Sequence, residues 1–246
     1  MDTPTNAANG APQGSAIEID PLNIIHEYFP MQMEDVKMIG LSFALWTSMY
    51  LVVAYSPLPF KPKGVNLKRL DDLDVRNRIV SFTHGFLLMV LAGYEFYFLR
   101  GSCGDRNSQY QKNLMYMSIG YFIYDFGAMC YYGLVDFAMT FHHTICVVGM
   151  ATPLVQDVSG NYIVMGMYVA EVSNFLMHIR IILKHYGLRY TKAYETAEIG
   201  FMMLYIYGRM LVGPAIVWST ITCASNNFVV RFCSLGLFGQ SVFFVA

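Results

Sequence analysis

Seven stretches of this chain stay predominantly apolar for nineteen residues or more: 36–56, 79–99, 114–134, 137–155, 161–183, 199–221 and 228–246. A helix needs about 20 such residues to cross the hydrocarbon core of a bilayer. The apolarity is continuous rather than alternating, which argues against barrel strands. A lipid-embedded backbone must satisfy its own hydrogen bonds, so helices follow. The expected fold is all-α, a polytopic transmembrane helical bundle of about seven spans. The last run ends at residue 246 and just spans or inserts part-way. Only 13% of residues are charged, about half the usage of soluble domains. A net charge of −1 gives no electrostatic basis for binding nucleic acid.

The first 20 residues are polar, rich in Ala, Asn, Pro and Gly, and carry no Lys or Arg. They match neither a secretory signal nor an Arg-rich transit peptide. Residues 17–35, with Ile17, Ile19, Ile24, Ile25, Tyr28 and Phe29, suit a short helix along the membrane surface. The expected division is a polar tail and interfacial segment over 1–35 and a transmembrane domain over 36–246. A tail of this composition does not order by itself, and protein partners are expected to hold it. Lys and Arg mark the cytoplasmic or matrix side of short loops. Lys61, Lys63, Lys68, Arg69, Arg76 and Arg78 precede the second run, and Lys184, Arg189 and Lys192 follow the fifth. Lys37, Arg100, Arg106 and Lys112 fall at the other end. Seven spans then put the N-terminus outside and the C-terminus inside. Cys103 and Cys223 share the outer end in this topology. No cysteine spacing is of metal type. The pair is expected as two free thiols, with a disulfide as the alternative in an oxidising lumen.

Ionisable groups are costly in hydrocarbon and mark functional sites by default. His84, Asp125, His142, His143, Glu171, His178, Arg180 and Arg209 lie in the apolar runs. Counted at about 1.5 Å per residue, the four histidines fall in the inner half of the membrane and Asp125, Glu171 and Arg209 near its midplane. Glu171, Asn174 and His178 share one helix face at i, i+3 and i+7. Arg209 is the expected counter-charge for Glu171 or Asp125. The chemistry of such a set is acid/base work. Imidazole titrates near neutrality and takes a proton from an amine or hydroxyl when a carboxylate orients it. The same groups also serve as interhelical hydrogen bonds that set bundle geometry, and both readings stay open. Adjacent histidines project about 100° apart and do not easily share a metal ion, so no metal is expected. Glu95 and Arg231, near helix ends, are expected to snorkel to the interface. Asp136 is expected to cap a helix, and Pro153 and Pro214 to break or kink theirs.

The series Asn77-Arg78-Ile79-Val80-Ser81-Phe82-Thr83-His84-Gly85, Gly120-Tyr121-Phe122-Ile123-Tyr124-Asp125, His142-His143-Thr144 and Glu171-Val172-Ser173-Asn174, followed by Arg180 and Arg209, covers roughly residues 40–246. It resembles the TLC domain family of translocating-chain-associated and ceramide-synthase-like membrane proteins, and within it the small TLC-domain-containing proteins. The resemblance implies an all-helical membrane bundle linked to acyl lipids. In the ceramide synthases a histidine pair transfers an acyl group from acyl-CoA to a sphingoid amine. The resemblance lays that role on His142 and His143. Those synthases carry a His-Asp and a further Asp after the pair. Glu171, Ser173 and Asn174 stand in the corresponding stretch here, which points away from ceramide synthesis itself.

The expected function is therefore binding or remodelling of acyl lipids in a polar-lined cavity of the inner leaflet, with membrane lipids as partners. As an enzyme the protein would be an acyltransferase acting on a lipid amine or hydroxyl, with acyl-CoA as substrate and no resident cofactor. Its expected catalytic residues are His142, His143, Glu171 and Asp125. His84, Asn174, His178, Arg180 and Arg209 are expected to bind the lipid. The alternative is a non-catalytic accessory or structural subunit of a large organellar membrane complex, for example in the mitochondrial inner membrane. Both readings expect an intracellular organelle membrane, either endoplasmic reticulum or mitochondrial inner membrane. A transporter is disfavoured, because neither an inverted repeat nor a broken helix pair is legible.

Overall fold

Helix boundaries follow the capping chemistry at each end of the apolar runs. A computed structural model describes residues 31–99 and 101–244, and these contain seven helices. They are α1 (Met33–Tyr55), α2 (Arg69–Leu99), α3 (Gln109–Tyr132), α4 (Phe137–Gln156), α5 (Gly160–His185), α6 (Lys192–Thr222) and α7 (Phe228–Phe243). The polar tail lies outside the described residues, as does the interfacial segment up to residue 30. Residues 33–35 of that segment open α1 instead.

Ser108 starts α3 with a reciprocal capping box. Its hydroxyl accepts from the Gln111 amide (3.2 Å), and the Gln111 side-chain oxygen accepts from the Ser108 amide (2.9 Å). Gly133, at φ +69°, ends the same helix in the left-handed region. Three residues later Asp136 accepts from the Met139 amide at 2.8 Å and starts α4. Asn227 does the same for α7 through Val230, at 2.9 Å.

Five of the seven helices, α1, α2, α4, α5 and α6, are long and apolar enough to cross a membrane. The other two differ in kind. α3 has the length, 24 residues, but does not meet the apolarity of the other five; its polar groups Ser118, Tyr121, Tyr124 and Asp125 are buried inside the bundle. α7 has 16 residues, or about 24 Å at 1.5 Å per residue, short of a full hydrocarbon core.

The loops alternate between two ends. At one end the α2–α3, α4–α5 and α6–α7 loops meet. Asn107 donates to the Pro153 carbonyl (2.7 Å) and accepts from the Gly160 amide (2.7 Å), and Asn161 donates to the Ser102 carbonyl (3.1 Å). Cys103 and Cys223 form a disulfide there, with Cα atoms 5.7 Å apart. This corrects the expectation of free thiols: local spacing held no signature because the partners are 120 residues apart. At the other end the α1–α2 and α5–α6 loops meet. The Tyr186 hydroxyl donates to the Pro59 carbonyl (3.0 Å), and Arg76 donates to the Ser56 carbonyl (3.0 Å).

α5 is the central helix, packing on α2, α3, α4 and α6. α1 rests on α3, and α7 rests on α4. Pro153 does not break α4. Pro214 is absorbed differently: α6 widens to a π-helix over Ile206–Val212, just before it. α2 widens in the same way over Glu95–Leu99. Two snorkelling expectations fail here. Glu95 is 2% exposed, and the Gln111 amide donates to it. Arg231 folds back and donates to the Cys223 carbonyl (2.9 Å), capping the end of α6.

Candidate functional site

Five of the ionisable residues, Asp125, His142, His143, Glu171 and Arg209, divide into two clusters that the sequence had placed together. The first joins α2, α3 and α4. The Tyr124 hydroxyl donates to Asn77 Oδ1 (2.8 Å), and Asn77 Nδ2 donates to Asp125 Oδ1 (2.7 Å). Asp125 Oδ2 lies 2.9 Å from His143 Nε2, and His143 Nδ1 donates to the Met139 carbonyl at 2.8 Å. A carbonyl carries no proton, so Nδ1 must. The second proton of the pair then sits between Nε2 and the carboxylate. Carboxylate and imidazole are together neutral, which is the condition for burying them. Both are buried, at 5% and 3% exposure. His84 packs nearby but apart. Its ring stacks on Tyr121 at 3.8 Å, meets Trp46 edge-on and approaches the Ser118 hydroxyl at 3.3 Å.

The second cluster joins α4, α5, α6 and α7. Asn174 Nδ2 donates to Glu171 Oε2 (3.1 Å), while Arg209 Nη2 donates to Asn174 Oδ1 (3.4 Å) and the Ala170 carbonyl (3.0 Å). Arg209 Nη1 donates to the Ser241 hydroxyl (2.8 Å), and its guanidinium lies over the Tyr205 ring. Arg209 is therefore not the direct counter-charge of Glu171 or Asp125. Asn174 bridges it to Glu171, and Asp125 is already neutralised by His143. His178 does not join Glu171 and Asn174. Its Nδ1 is buried with no hydrogen bond among the described residues.

His142 belongs to the second cluster. Its ring stands at 87° to that of His143, with centroids 5.8 Å apart. Gln240 sets its tautomer. Gln240 Nε2 donates to the Ala138 carbonyl (3.0 Å), so Gln240 Oε1 is the atom that faces His142 Nδ1, at 3.1 Å. Nδ1 thus carries a proton, and in the neutral form of the ring Nε2 keeps its lone pair. Cys146 Sγ lies 3.7 Å from that Nε2.

A partly open cavity of about 130 Å³ runs beside this cluster between α4, α5, α6 and α7. His142, Glu171, Arg209 and Ser241 line its polar end, and Met150, Ile163, Gly166, Ile216 and Leu237 are among the residues lining the rest. The polar end lies 11 to 14 residues from the disulfide-bearing ends of these helices, or roughly 16–21 Å at 1.5 Å per residue. The apolar part extends from there toward the disulfide end. It therefore occupies the outer half of the bundle in the expected orientation, not the inner half.

Of the expected catalytic residues, His142 and Glu171 reach the cavity, while His143 and Asp125 form the separate buried pair. Of the expected lipid-binding residues only Arg209 lines it. Asn174 stands behind Glu171 and Arg209, and His84 and His178 lie elsewhere. Arg180 sits toward the end opposite the disulfide, where it donates to Glu198 (3.3 Å) and lies over the Phe201 ring. Sequence reasoning quoted Asn77 without giving it a role and missed Cys146, Gln240 and Ser241. Cys146 had a signal, standing four residues after His142 on the same helix face. Among the described residues no three His, Cys, Asp or Glu side chains gather as metal ligands.

No solved structure matches the chain. The family model described as the TLC domain matches residues 74–245, which includes every residue of both clusters and the cavity. The apolar helices make it a multi-pass integral membrane protein, and the chain belongs to the TLC domain family.

Proposed function

We propose that this protein binds an acyl lipid with part of a chain in the apolar cavity and a polar group against His142, Glu171 and Arg209. The observation that carries this reading is the cavity's polarity: mostly apolar side chains along its length, with Tyr162, Thr220 and Ser234 the hydroxyl-bearing exceptions, and the charged-type groups His142, Glu171 and Arg209 at one end. Its volume, about 130 Å³, is close to that of an engineered cavity that accepts benzene, so it takes a section of chain through its open side. In the enzymatic form of the proposal, His142 Nε2 is the general base. It takes the proton from a lipid amine or hydroxyl as that group attacks an acyl thioester, and the thiol of the carrier, such as acyl-CoA, leaves protonated. Glu171 and Arg209 orient the polar group, and the Asp125–His143 pair holds α3 and α4 in place. The disulfide-bearing face suits an oxidising compartment, which supports the endoplasmic reticulum over the mitochondrial inner membrane.

Gly166 makes the proposal testable without damage to the fold. It lines the cavity, and a Cβ placed there would meet nothing within 4 Å. Protein purified in a gentle detergent should carry a defined acyl lipid, read by mass spectrometry of the extract. Gly166→Leu should remain monodisperse and lose that lipid at least tenfold. Lipid-free wild-type protein, or equal lipid in the variant, overturns the reading. Migration of lipid-free protein inside a large complex of fixed composition would favour the accessory-subunit alternative instead.

A further inference from the structure

A second pocket, separate from the acyl cavity, opens at the inner end of the bundle. It encloses about 460 Å³ between the start of α2, the end of α5 and the start of α6. Its lining includes four side chains that are cationic at neutral pH: Arg78, Arg180, Lys184 and Arg189. Two carboxylates, Asp74 and Glu198, face them.

Both carboxylates are already engaged. Asp74 Oδ2 lies 2.9 Å from Arg78 Nε and 2.9 Å from His185 Nε2. Glu198 Oε1 accepts from Arg180 (3.3 Å) and from the Tyr194 hydroxyl (3.2 Å). Lys184 and Arg189 have no acidic partner within 4 Å among the described residues, and both are exposed. Arg78 spends only its Nε on Asp74. The pocket therefore holds two surplus positive charges beside one further guanidinium with free terminal donors. Ile181 is its one aliphatic lining residue, so it offers no bed for an acyl chain.

Its depth narrows the choice of anion. The apolar stretch of α2 begins directly after Arg78, and that of α6 directly after Glu198. The pocket therefore sits where the hydrocarbon ends. Tyr190, at 96% exposure, and Phe60, at 95%, stand on the two loops of the same end, as interfacial aromatics do. Guanidinium forks and an ammonium suit phosphate oxygens. Basic pockets at this depth on the positive-inside face meet the anionic headgroups of that leaflet.

We infer that this pocket binds the phosphate of an anionic phospholipid headgroup. Lys184 and Arg189 supply the uncompensated charge, and Arg78 supplies directional donors. This site is independent of the acyl cavity, and the two stand or fall separately.

The test uses the full chain in a zwitterionic detergent and measures binding of three probes by calorimetry. Dioctanoyl phosphatidic acid should bind at least tenfold tighter than dioctanoyl phosphatidylcholine, and also at least tenfold tighter than inorganic phosphate. The double variant Lys184→Gln/Arg189→Gln should lose that preference at least tenfold. Neither side chain makes an ion pair among the described residues, so the variant should keep the wild-type melting temperature. Equal binding of phosphatidylcholine, whose phosphate charge is offset by its choline, would show that the net negative charge of the headgroup is not recognised. Equal binding of inorganic phosphate would make the ligand a soluble anion. An unaffected double variant would place the anion elsewhere. Each of these results overturns the inference.

Discussion

Replacing His143 by Leu isolates the buried pair. In the native chain Asp125 Oδ2 faces His143 Nε2 at 2.9 Å, and Oδ1 accepts from Asn77 at 2.7 Å. The leucine side chain removes the first contact and leaves a carboxyl group with a single partner at 5% exposure. Breaking a buried pair from one side costs about 3–5 kcal/mol, because the remaining charge is uncompensated. At about 2–4 °C per kcal/mol for a chain of this size, the melting temperature in detergent should fall by roughly 6–20 °C. Asp125→Asn should cost far less. Its oxygen still accepts from Asn77, and its new amide donates to Nε2 of a neutral His143, whose Nδ1 proton remains on the Met139 carbonyl. That exchange stays within about 1.5 kcal/mol, the net worth of one hydrogen bond. The double variant Asp125→Asn/His143→Leu carries no orphaned charge and should melt above His143→Leu alone. Thermal unfolding followed by a thiol-reactive dye, with size-exclusion chromatography as control, measures all three. Equal melting of His143→Leu and Asp125→Asn would refute the argument, as would a double variant that loses the sum of the two single costs.

Gly208 and Gly166 predict opposite responses to the same change. A Cβ at Gly208 would lie 2.8 Å from the Val169 carbonyl oxygen, a backbone atom that cannot turn aside, so Gly208→Ala should cost about 1–3 kcal/mol. Gly166→Ala adds its methyl to open space and gains up to about 1 kcal/mol of helix propensity. The two melting curves should therefore move apart, and parallel shifts would count against this packing. The Cys103–Cys223 bridge closes a loop of 120 residues, worth about 5 kcal/mol in the chain-entropy account. Non-reduced protein should run faster on a denaturing gel than reduced protein, and Cys103→Ser should abolish the difference. Equal mobility with and without reductant would contradict the bridge.

The sequence by itself determined what depends on local, one-dimensional physics. Helix number and position follow from runs of apolar residues, and the cap expected at Asp136 follows from short-range hydrogen bonding, as do the caps at Ser108 and Asn227, which were not anticipated. The alternation of loop ends follows from an unbroken series of helices, and charge bias predicts which end faces inward. Which polar groups meet depends instead on helix rotation and tilt, and those belong to the packed bundle. A rotation of about 100° separates His142 from His143. Only packing against Phe122, Asp125 and Gln240 decides which of the two imidazoles reaches the cavity. Arg209 lies in the π-helical segment Ile206–Val212, where the 3.6-residue period fails, so its face was not readable from spacing. Glu95 lies in the other such segment and turns inward against expectation. The disulfide and the cavity's position in the disulfide-bearing half arise from contacts between segments remote in sequence. Composition is blind to those contacts, because burial energy depends on the neighbours a side chain finds and not on its place along the chain.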